Sequence, residues 1–85
     1  MRARRLLDRI RQGAVRNIRF HDLLQLLDEV GFRLERTRGS HRVYAHPRVP
    51  RLLCLQPENG QAKPYQVAQV LKLLEAYNLL EELDR

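Results

Sequence analysis

Eighty-five residues, 44% of them apolar, make one small domain with a thin core, since a chain this short buries only roughly 60% of its unfolded surface. Sixteen Lys and Arg against ten Asp and Glu leave a formal charge of +6, which favours a polyanionic partner such as nucleic acid over a neutral ligand. One cysteine, Cys54, excludes an intramolecular disulfide and a cysteine-rich metal cage, and no apolar run reaches the ~20 residues of a membrane span.

The first predicted element is a short amphipathic helix over 3–11, with Leu6, Leu7 and Ile10 at helical spacing among Arg residues and an end near Gly13. A clearer helix covers 20–30. Phe20, Leu23, Leu24, Leu27 and Val30 form its apolar stripe, and Gly31 is the expected left-handed stop. The period then changes to two. Phe32, Leu34 and Arg36 alternate with Arg33, Glu35 and Thr37 as a first strand, Gly39-Ser40 is a turn, and 41–46 is a second strand. Pro47 and Pro50 punctuate the connection to a third strand over 51–56, whose apolar run suits a central position, and Pro57-Glu58-Asn59-Gly60 reads as a loop. Pro64 opens a final helix through Val67, Val70, Leu71 and Leu74, with Leu79, Leu80 and Leu83 extending it or docking separately. The fold class is α+β: a three-stranded antiparallel sheet with helices packed on one face and an open second face.

The charge is uneven. Residues 1–63 hold thirteen Arg and Lys63 against six carboxylates, a net +8, whereas 64–85 carry −2. Fourteen of the sixteen cations are Arg, suited to bidentate phosphate contact, although a solvated basic surface accounts for the same count.

Among the three histidines, His21 on a polar helix side reads as solvated, and His46 before Pro47 as structural or surface. His41 follows the Gly39-Ser40 turn with Arg36, Arg38 and Arg42 nearby. Such cations disfavour a further positive charge on the imidazole and so favour the neutral form a general base needs. A surface histidine is the plainer alternative. Metal-ligand spacings are absent, no glycine-rich phosphate loop occurs, and Cys54 reads as a buried core thiol. Ser40 and His41, as strand neighbours, point to opposite faces and do not make a nucleophile–base pair. What remains is chemistry in which RNA supplies its own nucleophile, the 2′-hydroxyl.

The run Phe20-His-Asp-Leu-Leu-Gln-Leu-Leu-Asp-Glu-Val-Gly-Phe32, followed by Arg36-Thr-Arg-Gly-Ser-His41 and later by Gly60-Gln-Ala-Lys-Pro-Tyr-Gln-Val67, resembles the HicA family of toxin–antitoxin toxins over about 17–78. The resemblance implies a double-stranded-RNA-binding-like α-β-β-β-α fold, here with an extra N-terminal helix. The chain then divides into an N-terminal helical extension over 1–16, a core over 17–78 and an acidic C-terminal end over 79–85. It implies an endoribonuclease that cleaves mRNA and is held by a HicB-like antitoxin covering its active site; with no apolar span and no metal-ligand spacing, the expectation is a cytoplasmic, metal-independent enzyme that needs no cofactor. His41 would be catalytic, Gly39 and Ser40 would shape its turn, and Arg36, Arg38, Arg42 and Lys63 would contact RNA. Many members carry a histidine shortly after the proline ending the third strand, where this chain has Glu58-Asn59. A non-catalytic RNA-binding module on the same fold is the alternative.

Overall fold

Residues 2–84 are described by a computed structural model of the chain; Met1, at the start of the helical extension, and Arg85, at the end of the acidic stretch, lie outside the described residues. Helix α1 (Arg2–Arg11) turns Ala3, Leu6, Leu7 and Ile10 inward, and α2 (Phe20–Glu29) packs against it. Leu26 rather than Leu24 completes the fully buried stripe of α2, because this helix is covered on two sides and its apolar arc is wider than one row. The helix ends in a Schellman motif. The Gly31 N–H donates to the Asp28 carbonyl and the Phe32 N–H to the Leu27 carbonyl, with Gly31 at φ +98°.

Strands β1 (Arg33–Arg38), β2 (His41–His46) and β3 (Val49–Leu55) pair antiparallel in the order β1-β2-β3. The most apolar strand is therefore an edge and β2 is central, as two successive hairpins require. Tyr44 pairs with Leu53 and Arg42 with Leu55, so these four share the face toward the helices, where Tyr44, Leu53 and Leu55 are buried. Val43 pairs with Cys54 on the opposite, open face. Cys54 is exposed, contrary to the expected core thiol, because the two-residue period that turns Leu53 and Leu55 inward turns the residue between them outward.

The expected loop after β3 is a second, two-stranded sheet of β4 (Pro57–Glu58) and β5 (Gln61–Ala62). Asn59 and Gly60 both have positive φ, 52° and 77°, the geometry of a type I′ turn. This hairpin caps α2. Arg19, the N-cap, supplies no side-chain bond, and the Phe20 N–H donates instead to the Gly60 carbonyl at 3.0 Å, while the Ala62 N–H donates to the Ile18 carbonyl at 2.7 Å. Helix α3 (Pro64–Ala76) buries Val67, Val70, Leu73 and Leu74, and a separate 3-10 helix (Leu79–Asp84) docks Leu79 and Leu83. All these layers meet in one core to which α1, α2, α3 and the sheet's inner face contribute. The acidic end is clipped to the basic body by Arg48, whose guanidinium lies 2.8 Å from Glu82 and 3.8 Å from Glu81.

Burial pushes the Tyr44 phenol above its usual value, nearby Arg42 opposes that shift, and Asp28 adds to it. The unfolded chain thus ionises this phenol first, so its contribution to stability is intact below about pH 10 and lost as pH rises through the folded value. The melting temperature is expected to fall above about pH 10, and less steeply in Tyr44→Phe, when followed by circular dichroism.

Candidate functional site

Arg38 and His41 are the closing pair of the β1–β2 hairpin, joined by a two-residue loop of Gly39 and Ser40. Gly39 has φ +58° and Ser40 does not share it, which is the type II′ arrangement that calls for glycine at the first loop position. A Cβ at Gly39 would meet nothing within 4 Å, so only the backbone conformation restricts this position.

Arg36 pairs with Val43, and alternation along β2 puts His41 on the same open face as Val43. His41 therefore has Arg38 directly across and Arg36 diagonally across, the two positions from which a long side chain reaches a cross-strand neighbour. Arg36, Arg38, Gly39, Ser40 and His41 are all exposed. Among the described residues, no side chain bonds to the His41 ring. Arg42 belongs to the opposite face. It is half-buried, and its guanidinium donates to the Gly39 carbonyl at 3.2 Å, bracing the turn from behind.

Lys63 is half-buried at the N-cap of α3, in the helical layer rather than on the open face. It nevertheless sits at the same end of the sheet. The Gln56 N–H donates to the side-chain carbonyl of buried Gln66 at 3.2 Å, which ties the first turn of α3 to the end of β3, and Leu55 there pairs with Arg42. Tyr65, in that same first turn, is 65% exposed. Sequence reasoning passed over it as one more residue of an amphipathic helix; its only signal was an aromatic off the apolar stripe.

The other two histidines separate cleanly. His21 is exposed on α2. His46 is buried: its Nε2 donates to the Val30 carbonyl at 2.9 Å, its Nδ1 accepts from the Arg48 N–H at 3.0 Å, and its ring meets Phe32 edge-on at 5.0 Å. A Cβ on Gly31 would stand 3.0 Å from His46 Nε2, so glycine is needed there both for its positive φ and for this close approach. His46 is a structural tie between the α2–β1 corner and β2.

The open face thus presents an accessible imidazole at its rim with two guanidiniums beside it. Such a set can accept a proton and neutralise charge on a phosphoryl group. Among the described residues, no group of three His, Cys, Asp or Glu side chains is placed to hold a metal ion. A family model described as the HicA toxin of bacterial toxin-antitoxin matches residues 20–76. The chain belongs to the HicA toxin family. No curated protein and no solved structure matches it. The family match runs from the first residue of α2 to the last of α3, so it encloses His41, its turn and Lys63, and leaves α1 and the 3-10 helix outside. The order α2-β1-β2-β3-α3 is the double-stranded-RNA-binding-like arrangement expected of a HicA toxin, and its role is that of the toxin in a toxin–antitoxin pair.

Proposed function

We propose that this HicA toxin is a metal-independent endoribonuclease that cleaves mRNA in the cytoplasm, with His41 as general base. His41 takes the proton of a 2′-hydroxyl, and the resulting oxygen attacks the adjacent phosphorus. The bond from phosphorus to the 5′-oxygen breaks, leaving a 2′,3′-cyclic phosphate on one fragment. The departing 5′-oxygen collects a proton, from solvent or from the imidazolium, to end as a hydroxyl. Arg38 and Arg36 offset the charge building on the non-bridging oxygens. The observation that carries this reading is the cross-strand pair of Arg38 and His41, exposed on the open face within the family-matched span.

A HicB-type antitoxin is proposed to neutralise the toxin by covering this face. Half-exposed Leu52 and exposed Cys54, beside buried Val43, give the face an apolar centre, and Arg36 and Arg38 give it a basic edge, which suits an acidic partner with apolar side chains of its own.

Incubating the purified protein with mRNA in excess EDTA is expected to yield fragments ending in 2′,3′-cyclic phosphate, identified by mass spectrometry. Among the described residues the ring of His41 has no orienting bond, as in a surface used for binding alone. Salt-dependent RNA binding with no fragments after long incubation would replace the nuclease by that binding module.

A further inference from the structure

Helix α1 and the N-terminus of α2 enclose a groove of about 360 Å³ that lies outside the hairpin described above. Arg5 and Arg9, four apart on α1, form one wall, and Arg19, the residue before α2, forms the other. Among the described residues Asp22 is the one carboxylate that also lines it, with Gln25 as a neutral donor, so three guanidiniums there face one negative charge. Among the described residues none of the three is held in an ion pair, and all three are exposed. The N-terminus of α2 carries no side-chain cap, so its partial positive charge adds to theirs.

Concave, unpaired guanidinium charge of this kind concentrates anions, and the planar fork of Arg matches phosphate oxygens two at a time. All three residues precede the family-matched span, which begins at Phe20. Asp22 and Gln25, on the α2 side of the groove, fall within that span.

Its position relates it to the His41 hairpin. The Arg19 backbone bridges to Gln61, two residues before Lys63. Lys63 opens α3, whose first turn is tied to the end of β3 beside the His41 hairpin. Arg19 and Lys63 are thus near neighbours through the β5 backbone, and Lys63 stands at the end of the sheet that carries the His41 hairpin, on a molecule whose longest extent is 33 Å. We infer that the groove of Arg5, Arg9 and Arg19 is a second binding site for backbone phosphate, holding the RNA strand away from the bond that is cut. This rests on the nuclease reading only in that RNA is the ligand.

The test uses the 85-residue chain carrying His41→Ala, so that the probe stays intact, and a fluorescein-labelled poly-U oligonucleotide titrated over a range of NaCl concentrations. Arg5→Gln/Arg9→Gln is expected to flatten the slope of log K against log salt by about 1.4, since each single-strand phosphate contact contributes about 0.7. Arg11→Gln/Lys72→Gln, which removes the same charge away from the groove, is expected to leave the slope unchanged. Equal flattening by both doubles overturns the site in favour of diffuse charge. An unchanged slope in Arg5→Gln/Arg9→Gln, with binding intact and an unaltered melting curve, overturns it while leaving RNA as the ligand of the His41 face. Weakened binding of the antitoxin by that double, at unchanged RNA slope, overturns it in favour of an acidic protein partner. No RNA binding by the His41→Ala parent, even at low salt, overturns both this site and the nuclease reading.

Discussion

His41→Ala is expected to lower RNA cleavage by about 10²–10⁴-fold, the usual contribution of a positioned general base, and to relieve growth arrest when expressed without antitoxin. The fold should survive. His41 is exposed at the end of a strand, and changes at such positions shift stability by about 0.5 kcal/mol or less, so the melting temperature should match the parent. The other histidines serve as internal controls because they occupy different environments. His21→Ala removes an exposed imidazole from α2 and should leave cleavage intact. His46→Ala strips partners from the Val30 carbonyl and the Arg48 N–H and leaves a void against Phe32. Each unmatched buried polar group costs about 1–3 kcal/mol, so that variant should lose stability first and activity only as it unfolds. Cleavage by His41→Ala at the parental rate, with cyclic phosphate ends, would remove the imidazole from the mechanism. Loss of cleavage with RNA affinity retained would confine its part to chemistry.

The same reasoning separates the arginines. Arg38 shares the open face with His41, whereas Arg42 turns to the other face and holds the Gly39 carbonyl. Arg38→Gln should act on RNA affinity and rate with little effect on folding. Arg42→Gln should act through the turn.

Much of this was legible in the sequence, and the parts that were share a cause. Regular helical spacing from Phe20 to Val30, ending at a glycine, specifies a helix with little ambiguity, and Gly39-Ser40 between two period-two runs specifies a hairpin. Together these place His41 at an exposed strand start. The failures have causes too. Leu52-Leu53-Cys54-Leu55 is apolar throughout, so its pattern cannot say which residues face inward; only the pairing of Cys54 with Val43 and of Leu53 with Tyr44 decides it. The β4–β5 hairpin has strands of two residues, too short for any period, although Asn59-Gly60 marked its turn. Arg42 and His41 are sequence neighbours, but strand alternation parts them. The groove of Arg5, Arg9 and Arg19 depends on how two helices pack, which no local pattern encodes.

Helix α1 lies outside the family-matched span, yet removing 1–16 is expected to unfold the protein. Leu6, Leu7 and Ile10 are each at least 94% buried in the common core. At about 1.5–3 kcal/mol apiece, their burial contributes about 5–9 kcal/mol. A domain of this size has only about 4–13 kcal/mol in total, at 0.05–0.15 kcal/mol per residue. Deletion also bares the surfaces of α2 and α3 that α1 covers, and frees the carbonyl of Leu83 from Arg4. The shortened chain should show no cooperative thermal transition by circular dichroism. Leu7→Ala in the full chain should cost about 2–5 kcal/mol in urea denaturation. A shortened chain that melts cooperatively near the parental temperature would make α1 a dispensable appendage. Loss of folding instead makes it a structural part of the toxin, and the groove it forms with α2 is then present wherever the folded toxin is.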